Sequence, residues 1–283
     1  MRFTRDSSRS IRRGGRVFLK SGWEAIKKWT RLRGLDILWP ILEGFILESG
    51  SWHIRGFGAC MIDGFPHQPT DSFFHLAVTR LRQETAQTVT TFMFTLGGFP
   101  VPRVLRHLES KCLALHPDIV VLQFGATDLV VPLRRKKIRD GSTSAAFHGR
   151  SAAPATLMSR VRWQFQGVAG DLLQLEPVTP VGAYLETKAE IVRTLLAHDI
   201  IPVVVSPFVF GSRRSDRNAR YCAGRLQELL ATLPKACFVD AYAALDRQPR
   251  HQMLLADGGH LSLAGQQVVA DELLAVLKRI VTA

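Results

Sequence analysis

The sequence predicts an α/β protein: a three-layer α/β/α sandwich built around a central, mostly parallel sheet. Three observations lead there. Two short, continuous apolar runs, 118–124 (DIVVLQF) and 201–206 (IPVVVS), read as strands buried on both faces. Longer stretches between and after them carry helical apolar spacing, as in 181–198 with Tyr184, Ile191, Leu195 and Leu196. From Ser51 onward the order strand, loop, helix recurs, which is the pattern of a parallel sheet with helices on both faces.

The elements follow in order. Residues 1–15 are rich in Arg, Ser and Gly and read as disordered. Over 16–32, Phe18, Leu19, Trp23, Ile26, Trp29 and Leu32 recur mostly three or four apart, which predicts an amphipathic helix with a basic opposite face. A second short helix is expected over 36–47. These helices either pack on the domain behind them or attach the chain to an anionic membrane surface. Residues 1–50 are therefore set apart as a basic N-terminal extension.

Residues 51–283 form the main domain. Strands are expected at 52–57, 88–95, 118–124, 201–206 and 237–240; the second is β-branched and aromatic. Helices are expected at 72–82, 102–115, 181–198, 216–233 and 262–281. The segment 134–180 breaks the rhythm. It begins Arg-Arg-Lys-Lys, runs through a Ser/Ala/Gly loop and carries helical spacing over 155–175. It reads as an insertion after a strand end, where it could cover a site.

The net charge of +13 is concentrated in two segments. Residues 1–33 hold 11 Lys/Arg against 2 acidic residues, and residues 134–150 hold 6 against 1. The remainder is nearly neutral. A nucleic-acid-binding fold carries its basic face on core elements, so this distribution argues against a nucleic-acid partner. No run of 18 apolar residues exists, so no transmembrane helix is expected. The N-terminus lacks the apolar core of a signal peptide. Cys60, Cys112, Cys222 and Cys237 are far apart, with no C-x-x-C pair. Reduced thiols in a cytoplasmic protein are the simplest reading, with membrane association as the variant.

In sheets of this type ligands bind beyond the carboxyl ends of the strands. Four Gly-rich or polar turns occupy such places: Gly58-Ala59-Cys60-Met61-Ile62-Asp63-Gly64, Gly97-Gly98, Gly125-Ala126-Thr127-Asp128, and Asp257-Gly258-Gly259-His260. In this order they resemble the conserved blocks of the SGNH (GDSL-type) hydrolases. That family's Gly-Asp-Ser-x-x-x-Gly is matched by Gly58, Ala59, Cys60 and Gly64. Its second-block Gly is matched by Gly98, its Gly-x-Asn-Asp by Gly125 to Asp128, and its Asp-x-x-His by Asp257 and His260. The likeness spans about 51–283, excluding the insertion. Cys60 stands at the Ser position, Ala59 at the preceding Asp, and Thr127 at the Asn.

The resemblance implies the flavodoxin-like SGNH fold and an esterase or acyl hydrolase using a Cys60–His260–Asp257 triad through a thioester. A thiol can replace a serine hydroxyl in acyl transfer when an imidazole takes its proton. The resemblance also nominates an oxyanion hole made by the backbone N–H groups of Cys60 and Gly98 and the Thr127 side chain. The substrate class is a small-molecule, carbohydrate or lipid ester. The alternatives are an acyltransferase on the same site, with peripheral membrane contact through 1–33, and a non-catalytic binding protein of the same fold.

No cofactor or metal is expected. His53, His67 and His75 lack an H-E-x-x-H motif or a carboxylate cluster and read as surface or supporting residues. Asp63 reads as a turn cap. Ser206, in Val-Ser-Pro-Phe, is not in a nucleophile elbow. Cys112, Cys222 and Cys237 read as packing residues.

Overall fold

The computed structural model describes residues 51–96, 99–130, 176–208, 213–255 and 259–283. The 1–50 extension, with its two expected helices, and almost all of the 134–180 insertion, with its Arg-Arg-Lys-Lys run and its 155–175 helix, lie outside the described residues. So do Gly97, Gly98, Asp257 and Gly258.

Among the described residues, five strands form one sheet. They are β1 (Trp52–Gly58), β2 (Val89–Thr95), β3 (Ile119–Gln123), β4 (Ile201–Val205) and β5 (Cys237–Val239), in the order β2-β1-β3-β4-β5. Every neighbouring pair is parallel, with Gly58 opposite Thr95 on one side and Gln123 on the other. The helices are α1 (Phe73–Glu84), α2 (Val101–Lys111), α3 (Ala126–Leu129), α4 (Val181–Ala197), α5 (Arg213–Ala231), α6 (Ala241–Asp246), α7 (Arg250–Met253) and α8 (Leu263–Thr282).

The strand order determines the layers. The chain steps from β1 outward to β2, then crosses back over β1 to β3 and continues in the other direction. Right-handed crossovers in opposite directions put their helices on opposite faces. Accordingly α1 packs against α8, while α2 packs against α4, and α4 against α5. The three-layer parallel architecture is thus the observed one.

Burial explains why the central strands were readable. All five residues of β3 and four of the five in β4 are buried, so both faces are apolar. The edge strand β2 is only partly covered, and Phe92 stays 41 % exposed. Gly58 closes β1 where a side chain has no room: a Cβ there would lie 2.7 Å from both the Gln123 carbonyl oxygen and Ile62 Cγ2.

The helices are set by caps and apolar stripes. Ser72 caps α1, its hydroxyl accepting from the His75 N–H at 3.1 Å, and Phe73, Phe74, Ala77, Val78 and Leu81 are its buried residues. Ser262 caps α8 by accepting from the Gly265 N–H. Across the α1–α8 seam, Gln266 Oε1 accepts the Phe73 N–H at 2.9 Å in a buried position. Exposed Arg80–Asp271 and Lys278–Glu84 pairs flank that seam, where ion pairs contribute little.

Four local differences from the sequence reading have simple causes. The helix expected over 102–115 stops at Lys111, and a 3-10 turn at Leu113–Leu115 follows, ending on left-handed His116. The Gly125–Asp128 turn closes into the single helical turn of α3. Two further short helices, α6 and α7, lie beyond β5 and lead to the last site loop. Finally, α5 already includes Arg213, before the stretch where its apolar periodicity starts. No helix among the described residues is long and apolar enough to cross a membrane.

Candidate active site

The strand order reverses between β1 and β3, and in sheets of this type ligands bind beyond the strand ends at such a point; the described candidate residues come from loops near those ends. The first loop leaves β1 at Ala59, whose N–H donates to the Gln123 carbonyl at 2.8 Å, tying it to β3. The chain then winds tightly: Ile62 N–H donates to the Ala59 carbonyl, and Phe65 N–H to the Cys60 carbonyl, each at 3.1 Å. Ala59, Met61 and Ile62 are buried, so the loop is anchored and Cys60 is left half-buried on top with a free thiol. Asp63 Oδ1 accepts the Phe65 N–H at 3.3 Å, the turn-stabilising contact expected of it.

The last loop is closed by an antiparallel bridge between Leu254 and Leu261. Leu255 N–H donates to the His260 carbonyl at 2.8 Å and Ser262 N–H to the Met253 carbonyl at 2.9 Å. The α8 cap at Ser262 follows immediately, so His260 is held by a bridge behind it and a helix ahead of it.

These two loops meet. Cys60 Sγ lies 3.8 Å from His260 Nε2, within hydrogen-bond range for sulfur, although 200 positions separate the residues in sequence. Two neighbours hold the imidazole in place. The Phe65 ring meets the His260 ring edge to face, with centroids 5.0 Å apart. His67 Nε2–H donates to the Leu261 carbonyl at 3.0 Å, joining the first loop to the last. His67 thus supports the site, while His53 bonds to Thr90 at 2.9 Å and His75 is exposed.

Thr127, on α3, is half-buried just beyond β3, next to the strand that delivers Cys60. Gly125 makes the bend, with φ +135°, and a Cβ there would meet Pro207 and the Tyr184 hydroxyl. Asp128 is fully buried. Its Oδ1 accepts the Val101 N–H at 2.8 Å and the Thr179 hydroxyl at 2.6 Å. Burial pushes its carboxyl above the usual carboxylate range, and those two hydrogen bonds and the Lys188 charge pull it back. The oxyanion candidate Gly98 and the triad candidate Asp257 lie outside the described residues.

The other thiols lie away from these two loops. Cys112 and Cys222 are fully buried, and burial pushes each up to about 12. Cys237 is also raised by burial. Among the described residues no three His, Cys, Asp or Glu side chains are grouped to hold a metal ion.

The model of the GDSL-like lipase/acylhydrolase family matches residues 56–268, a span that begins in β1 and runs into α8. The chain belongs to the GDSL-like lipase/acylhydrolase family. As a family member it is a hydrolase acting on ester bonds. Solved structures share the fold at low identity. A lipase/acylhydrolase from Enterococcus faecalis matches with TM-score 0.57 and 17 % identity, covering 80 % of this chain and 95 % of its own. An acetylxylan esterase from Geobacillus stearothermophilus gives 0.56 and 16 %, covering 81 % and 95 %. A psychrotrophic esterase from Pseudoalteromonas sp. gives 0.52 and 12 %, covering 82 % and 99 %. No curated protein sequence matches the chain.

Phe65 and Lys188 of this GDSL-like site were not assigned roles from sequence, and His67 was read only as a surface or supporting residue. Phe65 and His67 lie within the first loop, but their contacts are made to a loop near the other end of the chain. Lys188 sits inside the apolar stripe of α4, four residues after Tyr184 and three before Ile191. A lysine at such a position was a legible signal.

Proposed function

We propose that this family member hydrolyses esters through Cys60, with His260 as general base and Asp257 orienting the imidazole. The observation that carries the reading is the 3.8 Å approach of Cys60 Sγ to His260 Nε2. In the first step the thiol proton passes to Nε2 as sulfur bonds to the ester carbonyl carbon, and negative charge develops on the carbonyl oxygen. The tetrahedral intermediate collapses with loss of the alkoxide, which takes the proton from His260, leaving a thioester on Cys60. Water, deprotonated by His260, then adds to the thioester carbonyl. Its collapse releases the carboxylic acid and returns the proton to sulfur.

The proposed oxyanion donors are the Cys60 and Gly98 N–H groups and the Thr127 hydroxyl. A hydroxyl reaches less far than the Asn amide at that position in the family, so α3 must bring Thr127 close. The substrate is proposed as a small-molecule or carbohydrate ester, in keeping with the acetylxylan esterase among the structural neighbours. Within this reading residues 1–50 are a basic extension and 134–180 an insertion in the hydrolase domain of a cytoplasmic enzyme. If 1–33 bind an anionic membrane, their deletion moves the protein from pellet to supernatant.

The test is turnover of a short-chain aryl ester. Cys60→Ala and His260→Ala should each abolish it, and alkylation of the wild-type thiol should do the same. Full activity in either variant removes the catalytic assignment.

A further inference from the structure

Beneath the Gly125–Asp128 turn lies a buried charged residue that the proposed reaction does not use. Lys188 is in the middle of α4, wholly buried, and its Nζ has no hydrogen-bond partner among the described residues. Asp128 is the acidic group whose charge acts on it, although no hydrogen bond joins the two. One Asp128 oxygen is fully engaged with Val101 and Thr179, but Oδ2 is buried without a partner. Lys188 Nζ lies 5.2 Å over the Phe124 ring and 5.9 Å from the Tyr184 ring centre. Phe124 is the residue before Gly125, and its carbonyl accepts the Tyr184 hydroxyl at 3.1 Å.

Asp128 therefore joins three pieces of chain around the site. Val101 begins α2, just after the Gly97-Gly98 block. Thr179 leads into α4, and its own N–H donates to the Asp128 carbonyl at 3.0 Å. Asp128 itself ends the turn that carries Thr127. A buried carboxylate holding this junction needs a balancing charge, because an isolated one takes a proton instead. Once protonated, it accepts hydrogen bonds about half as strongly, since the charge-assisted bonds become neutral ones.

We propose that Lys188 is a positioning residue. Its buried ammonium balances the Asp128 carboxylate, and the balanced pair holds α3 and the start of α2 against the site. The inference rests on the ester-hydrolase reading above and extends it to the support of the oxyanion side. The other titratable groups facing Lys188 are Tyr184 on its own helix and Cys222 on α5. Burial raises the pKa of both, keeping them neutral.

The experiment, run at about pH 6 where Lys188 carries its proton, compares wild type with Lys188→Met, which keeps the apolar stem, and with the Lys188→Met/Asp128→Asn double variant, which removes both charges. Amide hydrogen exchange is read by segment, alongside ester turnover and the rate of Cys60 alkylation by iodoacetamide. In Lys188→Met, exchange should rise over 99–108 and 124–130 while 73–84 and 263–282 keep wild-type protection. The kcat should fall about 10–100-fold with KM unchanged, a part of the ~10²–10³ that a lost oxyanion donor costs. Alkylation should keep its wild-type rate, because it needs the thiolate and no oxyanion donor. The double variant should regain protection over both segments, since an amide oxygen can still accept from Val101 and Thr179.

Unchanged exchange over 99–108 and 124–130, or an equal rise in every segment, overturns the proposal. If Lys188→Met does not fold, the double variant decides: wild-type-like exchange supports the charge balance, and failure to fold overturns it. Absence of Cys60-dependent turnover in the wild type defeats the hydrolase mechanism instead, and the exchange pattern alone then decides whether Lys188 positions the turn.

Discussion

Gly125→Ala tests how tightly the third site loop is built. Gly125 has φ +135°, a conformation that L side chains rarely adopt. Holding alanine there costs roughly 1–3 kcal/mol of backbone strain. The added Cβ would lie 2.6 Å from Pro207 Cβ and 2.8 Å from the Tyr184 hydroxyl oxygen. Neither can give way freely: Pro207 follows β4, and the hydroxyl is bonded to the Phe124 carbonyl. Overpacking of this kind adds about 1–3 kcal/mol. The stiffer unfolded chain returns roughly 0.4–1 kcal/mol. The net expectation is a loss of about 3 kcal/mol, with about 1 kcal/mol as its lower bound. Gly224→Ala is the control. It lies inside α5 with nothing within 4 Å of the new methyl, so it should gain about 0.5–1 kcal/mol. Urea unfolding with linear extrapolation measures both. A Gly125→Ala protein as stable as wild type, with an unchanged m-value, would refute the reasoning about this bend. Ester turnover by the same variant should fall while Cys60 alkylation persists, because the turn carries Thr127 and not the nucleophile.

Three further outcomes are expected. His67→Ala removes the bond to the Leu261 carbonyl and should lower stability by about 1 kcal/mol; its kcat should drop as the last loop loosens, and unchanged kinetics would separate His67 from the alignment of His260. Native protein treated with iodoacetamide should label Cys60 first, with Cys112 and Cys222 reacting only after denaturation; peptide mapping that finds Cys112 labelled in the native state would contradict its burial. Burial lowers Lys188 from 10.5 to about 7 in the folded protein. Between those values the unfolded chain binds the extra proton, so this group's contribution to stability rises with pH across that window. Lys188→Met should flatten the corresponding rise in thermal-unfolding profiles measured from pH 7 to 10, and an unaltered profile would count against a depressed Lys188.

The alternation of elements was legible because burial leaves a compositional trace. In β3 both faces are covered, so the chain spells an unbroken apolar run, and in α4 the covered stripe repeats with the helical period. The trace fails in short elements. Helices α6 and α7 are too brief to show a period, and the Gly125–Asp128 turn looks the same in sequence whether or not it closes into α3. It also fails where the backbone departs from its side chains: apolar residues continue past Lys111, but the helix changes to a 3-10 turn there. Cys60 and His260 were found through the order of four short motifs in their strand context. Each motif taken alone is an ordinary turn.

By itself, the sequence determined the α/β class, the central strands and the chain order of the candidate loops. These depend on local periodicity and on residue types at strand ends, which are written along the chain. The concentration of the charge in the N-terminal extension and in the 134–150 stretch of the insertion was equally plain. Only the tertiary structure decided which side chains meet. The 3.8 Å approach of Cys60 to His260 joins residues 200 positions apart. It depends on the parallel register of β1 with β3, on the bridge behind His260 and on the Ser262 cap. Lys188 shows the same dependence in another form. Its place in the apolar stripe of α4 hinted at burial, but only the packing of that helix put it among the buried groups around Phe124 and Asp128.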